Sequence, residues 1–345
     1  MKAVVYHRYG GPEVVTMAEV PTPVARDREV LIRIYVTTVT SGDWRARSLK
    51  LPSGFGFMAR PVFGVFGPRQ PILGTELAGV VEASGRDVTR FKPGDEVFAF
   101  CGATYGAHAE FRAMPEDGLI ALKPANVSFE EAAALSFGGT TALGFLAGKG
   151  AIEPGDRVLI VGASGGVGTA AVQLAKHFGA HVTGVCSAAN FELVRSLGAD
   201  AVIDYAREDF AATVATYDII LDTTGTAPLA RVEASLRVGG RLLIVLGSFA
   251  QALGLERPLK SSGKRVVAGV VTPRIEDMQT LARLASTGAF TPVIDRSYPL
   301  ESASEAHAYV DKGRKRGNVV LTVTPPGAAK FPAGKQPPLV ALTQD

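Results

Sequence analysis

Cysteine is almost missing from this chain: Cys101 and Cys186 are the only two in 345 residues. A disulfide framework is therefore excluded, and a reducing compartment is expected. Long apolar runs are missing too. No stretch of about 18 uninterrupted apolar residues is there to span a bilayer, so the protein is expected to be soluble or at most peripheral. Charge of one sign is also scarce, with 36 Lys and Arg against 33 Asp and Glu. The basic residues are scattered except for Lys312, Arg314, Lys315 and Arg316. Without a groove-length basic patch, nucleic acid is not expected as a partner. The opening "MKAVVYHRYG" has no charged start leading into an apolar stretch, so secretion is not signalled and the cytoplasm is the expected location.

What is present is apolar content of 47% over a length that exceeds one hydrophobic core, which predicts two domains. From Met1 to about Ala125 the runs "KAVVYH", "EVLIRIYVTTV", "ELAGVVEASG" and "GDEVFAF" are short, β-rich and separated by Gly and Pro. They read as an antiparallel, barrel-like unit with no long helix. The pattern then changes to apolar strands alternating with helices: "RVLIVG", Thr169 to Phe178, "HVTGVC", Phe191 to Leu197, "AVIDY", "YDIILDTTG", "RLLIVLG" and "RVVAGVV". That alternation predicts an α/β fold with a doubly wound parallel sheet, a Rossmann domain, over residues 126–272. A last β run within "GNVVLTV" has the character of a strand returning to the first unit, giving that unit residues 1–125 and 273–345. The Pro- and Ala-rich ending from about residue 325 reads as a mobile tail. Between Arg45 and Pro71, Phe55, Phe57, Phe63 and Phe66 sit in a segment with few charges. It reads as a loop packed on the body, or else as the wall or lid of an apolar pocket or a surface that touches lipid.

The stretch "VLIVGASGGVG" places Ala163, Gly165 and Gly168 on the three glycine positions of G-x-G-x-x-G, after a strand and at a helix start. Gly165 leaves room for a pyrophosphate, Gly168 permits close helix–strand packing, and the helix start supplies free N–H groups. Ala163 departs from the pattern but adjoins Gly162. The second strand ends "GVCSAAN", with no Asp or Glu for a ribose 2′-hydroxyl. Ser187 and Asn190 can instead donate to a 2′-phosphate, so NADPH is the expected cofactor; Ser187 can equally cap the following helix.

The two-part order, "EEAAALSFGGTTAL", "GASGGVG" and "GNVVLTV" together resemble the medium-chain dehydrogenase/reductase superfamily over nearly the whole chain, most closely its zinc-free quinone oxidoreductase (zeta-crystallin-like) branch. The resemblance implies a GroES-like catalytic domain made from both chain ends, with a Rossmann domain inserted. Zinc alcohol dehydrogenases of that superfamily carry Cys in the segment matching "TVTSGDW" and a Gly-His-Glu triplet; here Thr40, Ser41, Gly42 and Asp43 stand in the first, and Gly74, Thr75 and Glu76 in the second. With those soft ligands missing, no metal is expected. Reduction of a quinone or an α,β-unsaturated carbonyl remains feasible, because the cofactor carries the chemistry and conjugation activates the acceptor.

The resemblance places Thr141, Leu246, Gly247 and Asn318 at the nicotinamide half. It places Ser164, Gly165, Gly166 and Val167 at the pyrophosphate, and Ser187 and Tyr205 at the adenosine half. Ala189 stands where several NADPH-binding relatives have Lys. Tyr105, Thr40, Asp43 and Trp44 lie in segments that border the substrate, and the first three are the candidate proton donors or oxyanion stabilisers. Asp43 has a structural hydrogen bond as its alternative role. The resemblance implies a homodimer, with the strand "RVVAGVV" either pairing edge to edge with its copy or standing as an ordinary covered edge. The alternatives are a nucleotide-binding module without turnover and, behind it, an alcohol dehydrogenase with other metal ligands.

Overall fold

The structure, a computed structural model, describes residues 1–253 and 263–323. The ending expected to be a tail lies outside the described residues. The first unit contributes β1 (Lys2–Val5), β2 (Thr16–Glu19), β3 (Glu29–Val39), β4 (Glu76–Ser84), β5 (Glu96–Phe100), β6 (Phe111–Pro115) and β7 (Ile120–Leu122). The alternating unit contributes β8 (Arg157–Val161), β9 (His181–Cys186), β10 (Ala201–Asp204), β11 (Tyr217–Asp222), β12 (Leu236–Ile244) and β13 (Arg265–Ala268). Near the C-terminal end come β14 (Ile294–Pro299) and β15 (Asn318–Thr322).

β8 to β13 form a six-stranded parallel sheet in the order β10-β9-β8-β11-β12-β13, the strand order of a doubly wound dinucleotide fold. Its central strands are apolar throughout because both faces are covered. Val158 and Ile160 of β8 enter one core cluster, while Leu159 and Val161 enter another. The second sheet has seven strands. β15 pairs antiparallel with β3, with Val319 opposite Val39 and Thr322 opposite Val36, so the C-terminal run returns to the first unit. This is the GroES-like unit.

Two helices occupy segments read from the sequence as loop: α1 (Ser41–Ser48) and α2 (Gly56–Phe63). A capping box starts α1: the Thr40 hydroxyl accepts from Asp43 N–H while the Asp43 carboxylate accepts from Thr40 N–H, and this reciprocal satisfaction of end groups nucleates a turn. Helices α3 (Phe129–Ala133) and α4 (Ser136–Leu143) follow, then α5 (Gly166–His177), which begins three residues ahead of the expected Thr169. α4 approaches α5 closely because Gly138 has no side chain; a Cβ there would stand 2.6 Å from Gly166 O. The helix Ile275–Ser286, just past the expected limit at Thr272, buries Met278, Leu281 and Leu284 in the cluster shared by α4 and α5. Among the described residues no helix is long and apolar enough to cross a membrane.

Candidate active site

The site lies where β8 and β11, neighbours in the sheet, send their connections in opposite directions, the place where doubly wound sheets bind ligands. Gly162 follows β8 with φ +84°, so Gly162 makes the tight turn and the Ala at the next position is tolerated. The Ala163 methyl packs toward Gly184, whose missing Cβ would stand 3.0 Å from it. The first helical bond of α5 runs from Thr169 N–H to Gly165 O, 2.8 Å. The N–H groups of Gly166, Val167 and Gly168 precede it and have no intrahelical acceptor. A Cβ on Gly168 would come 2.0 Å from Gly162 O, so strand and helix touch through backbone. These features fit a dinucleotide pyrophosphate at the start of α5.

Around this start the remaining expected cofactor residues group unevenly. Gly317 N–H donates to Ser164 O at 2.8 Å, and Gly165 and Gly317 form a parallel bridge. The C-terminal segment is thereby pinned to the cradle. Asn318 is buried; its N–H and side-chain amide both donate to Val293 O, and its Oδ1 lies 3.1 Å from where a Gly166 Cβ would be. On the adenosine side, the Asn190 amide donates to both Ser164 Oγ and Ser187 Oγ at 3.1 Å. Tyr205 follows β10 and is 62% exposed; its N–H reaches Cys186 O at 3.4 Å, which brings it beside Ser187. The Thr141 hydroxyl donates to Phe137 O within α4, 2.6 Å. Leu246 and Gly247 follow β12. Leu246 lines a cleft of about 420 Å³, and Gly247 backs onto Ala268.

Opposite this cradle side, the same cleft is lined by Trp44, Arg45 and the run Lys50–Ser53, facing Thr224, Leu246 and Gln251. Phe55 and Phe57 set their rings edge-on to Phe249, with centroids 5.3 and 5.4 Å away, and Phe249 N–H donates to Ser53 O. The aromatic segment therefore packs on the body and also walls the cleft. Phe66 stays fully in solvent.

Of the candidate proton donors and oxyanion stabilisers, Thr40, Asp43 and Tyr105 are all buried, and none lines this cleft. Asp43 accepts from Thr40 N–H, Thr40 Oγ1 and Gly74 N–H at 2.8, 2.6 and 2.8 Å. The Thr40 and Thr75 hydroxyls meet at 3.1 Å. Tyr105 holds a left-handed backbone, φ +49°, and its ring joins the core formed by Tyr6 and Leu73. Burial, reinforced by the Asp43 charge and Tyr6, pushes its phenol above the ordinary value.

Two charged groups near these residues were not singled out in the sequence. Glu76 is buried at the start of β4, accepting from Thr38 Oγ1 and from Phe137 N–H, both at 2.6 Å. Burial raises its carboxyl to about 7, against the pull of those two donors. The sequence carried no signal for this, because a Glu that opens a strand is ordinarily solvated. Lys315, noted in the sequence only as one of four clustered basic residues, reaches the start of α5. Among the described residues no group of three or more His, Cys, Asp or Glu is arranged to hold a metal ion.

A doubly wound dinucleotide domain joined to a GroES-like unit defines an oxidoreductase of the dehydrogenase/reductase class. The family model described as "Alcohol dehydrogenase GroES-like domain" matches residues 26–124, and that described as "Zinc-binding dehydrogenase" matches residues 197–321. The chain is 34% identical to "Quinone-oxidoreductase QR1, chloroplastic" of Triphysaria versicolor, over 93% of this chain and 98% of that one. It is 30% identical to "NADPH-dependent alkenal/one oxidoreductase, chloroplastic" of Arabidopsis thaliana, over 94% of this chain and 80% of that one. Among solved structures, the quinone oxidoreductase from Coxiella burnetii superposes with a TM-score of 0.83 at 30% identity, covering 94% of this chain and 99% of that one. The chain belongs to the medium-chain dehydrogenase/reductase superfamily, in its quinone oxidoreductase branch. It is an enzyme of that oxidoreductase type, built for a nicotinamide cofactor.

Proposed function

We propose that this enzyme transfers hydride from NADPH to a quinone or to the β-carbon of an enone or alkenal, without zinc. One observation carries the reading. In the segments where zinc-dependent members hold soft ligands, this chain places Thr40 and Thr75, whose hydroxyls bond each other at 3.1 Å. A site of paired hydroxyls supplies neither thiolate nor imidazole to zinc. It also offers no Lewis acid to activate an alcohol, which favours reduction of an acceptor already made electrophilic by conjugation.

The reduced nicotinamide, when bound, supplies the hydride. The chain's own residues bind and orient. The N–H groups of Gly166 and Val167 hold the pyrophosphate, with Ser164 beside them. Ser187 and Tyr205 meet the adenosine half, and the lack of a carboxylate at Ser187 removes the group that would repel a 2′-phosphate. Thr141, Leu246, Gly247 and Asn318 border the nicotinamide half. Trp44, the Phe-rich segment and Phe249 provide apolar walls for a flat acceptor. Addition of one hydride and one proton from water gives the hydroquinone or the saturated carbonyl. In this reading Asp43 and Thr40 hold α1 in place, and Tyr105 shapes the wall behind them.

β13 is an outer strand of its sheet, and pairing with its copy across a two-fold axis gives the homodimer. The two plant relatives named above are chloroplastic by name. Two buried free thiols suit any reducing compartment, the cytoplasm included.

The test is consumption of NADPH, beside NADH, with a panel of quinones, enones and alkenals in the presence of a chelator. Turnover that survives the chelator and prefers NADPH supports the reading. Turnover abolished by the chelator and restored by zinc overturns it, and dinucleotide binding without turnover on any acceptor returns the protein to a non-catalytic role.

A further inference from the structure

Lys315 stands where a cation is ordinarily disfavoured. Its Nζ lies 3.0 Å from the position a Cβ would occupy on Gly166, the first residue of α5. A helix start carries partial positive charge and unpaired N–H groups, so it attracts anions and repels an ammonium. The side chain does not escape to solvent. It turns back to donate to Gly317 O, and burial pulls its ammonium down to about 8 while Glu76 and Asp295 act in the opposite direction.

Neither carboxylate forms an ion pair with it among the described residues. Asp295 accepts from Tyr309 OH and from Arg316 N–H, and Glu76 is held by Thr38 and Phe137 N–H. Two positive elements, one a helix end and one a side chain, thus lie side by side, and no carboxylate among the described residues makes an ion pair with the ammonium. The segment is held there by the bond from Gly317 N–H to Ser164 O, so the placement is built into the backbone.

We propose that Lys315 is the fixed counter-charge for the pyrophosphate of the dinucleotide. An anion bridging the ammonium and the N–H groups of Gly166 and Val167 turns the repulsion into two attractions. The inference rests on the dinucleotide reading given above. It adds that a side chain from the far C-terminal segment, outside the glycine motif, supplies a full charge at the cradle.

Binding of NADPH, and of adenosine 2′-phosphate as a probe that has the adenine end and no pyrophosphate, is measured by calorimetry for the wild type, Lys315→Gln and Lys315→Arg at two salt concentrations. For Lys315→Gln, NADPH is expected to weaken about 10- to 50-fold, the loss of one charge-assisted contact, with a shallower salt dependence. Adenosine 2′-phosphate stays unchanged and Lys315→Arg recovers most of the loss. Melting of the ligand-free proteins provides an independent readout. Lys315→Gln melts at or above the wild type because a repelled cation is gone, while its NADPH-induced rise in Tm shrinks. NADPH affinity within two-fold of the wild type, equal losses for both ligands, or a ligand-free variant that melts well below the wild type overturns the inference. A wild-type protein that binds neither NADPH nor NADH overturns the functional reading itself.

Discussion

Two polar clusters, one at the start of α5 and one where β3, α1 and β4 meet, solve the problem of polar groups in opposite ways. At the start of α5 the first N–H groups have no intrahelical acceptor, and the Lys315 ammonium lies beside Gly166 and donates to Gly317 O. On the α1 side, Thr38, Thr40, Asp43, Thr75 and Glu76 satisfy each other or nearby backbone. The first cluster is rich in donors, and the second pairs its donors with acceptors of its own. In the proposed reading, cofactor binding draws on the backbone and one lysine of the first cluster, and the second contributes shape more than reactive groups, leaving the electron transfer to the cofactor.

The largest break in that comparison comes from Gly168→Val. The new side chain starts 2.0 Å from Gly162 O, a backbone atom that cannot swing aside. α5 must lift from β8, costing about 3–4 kcal/mol as an overpacked core does. NADPH binding is expected to fall at least about 100-fold, since the N–H groups move with the helix. Calorimetry with a thermal melt checks both; near-normal affinity would show that the cradle is not the cofactor site.

A smaller effect is expected in the second cluster from Asp43→Asn. The amide presents an N–H to donors that the carboxylate accepted, either Gly74 N–H or the pair from Thr40. Loss of buried, charge-assisted bonds costs about 2–3 kcal/mol. If Asp43 acts only by holding α1, urea unfolding shows that loss while kcat per folded molecule stays within about three-fold, under about 0.7 kcal/mol of barrier. A fall in kcat of about 100-fold with a changed pH profile instead makes it a proton donor.

Much of the cradle was legible in the sequence because it is local. A strand, a glycine turn and a helix start are contiguous, and each glycine is there for a backbone reason that leaves a pattern. The Ala163 departure was visible, and its remedy, Gly162 at positive φ with Gly184 opposite the methyl, is a matter of geometry. The second cluster was less legible. Thr38 meets Glu76, and Thr40 meets Thr75, through contacts between distant segments that no spacing rule encodes. Asp43 was noticed with both of its possible roles; the capping box that starts α1 was written in "TSGD" and passed over. Lys315 was hidden differently. In the sequence it is one of four clustered basic residues, and only the pairing of β15 with β3, together with the Gly317–Ser164 bond, carries it back to the cradle.

The smallest and most selective test is Glu76→Gln, because it asks whether the second cluster stays paired at every pH. The folded state raises this carboxyl from 4.5 to about 7, so the native protein holds its proton more tightly than the unfolded chain. The resulting stabilisation is full below pH 4.5 and is lost as pH rises toward and through 7. Read at face value that shift amounts to at most about 3 kcal/mol. Glutamine recovers only part of it: its carbonyl can accept from Phe137 N–H only if its amide faces Thr38, whose hydroxyl must turn to accept, and Lys315 loses a neighbouring negative charge. The variant is therefore expected to be about 1–2 kcal/mol more stable than the wild type at pH 8 and close to it at pH 5. Chemical denaturation at the two pH values decides. A variant less stable at pH 8 than at pH 5, relative to the wild type, would mean that Glu76 is held as a carboxylate in a working pair with Lys315, and the contrast between the two clusters would give way to a single charged network.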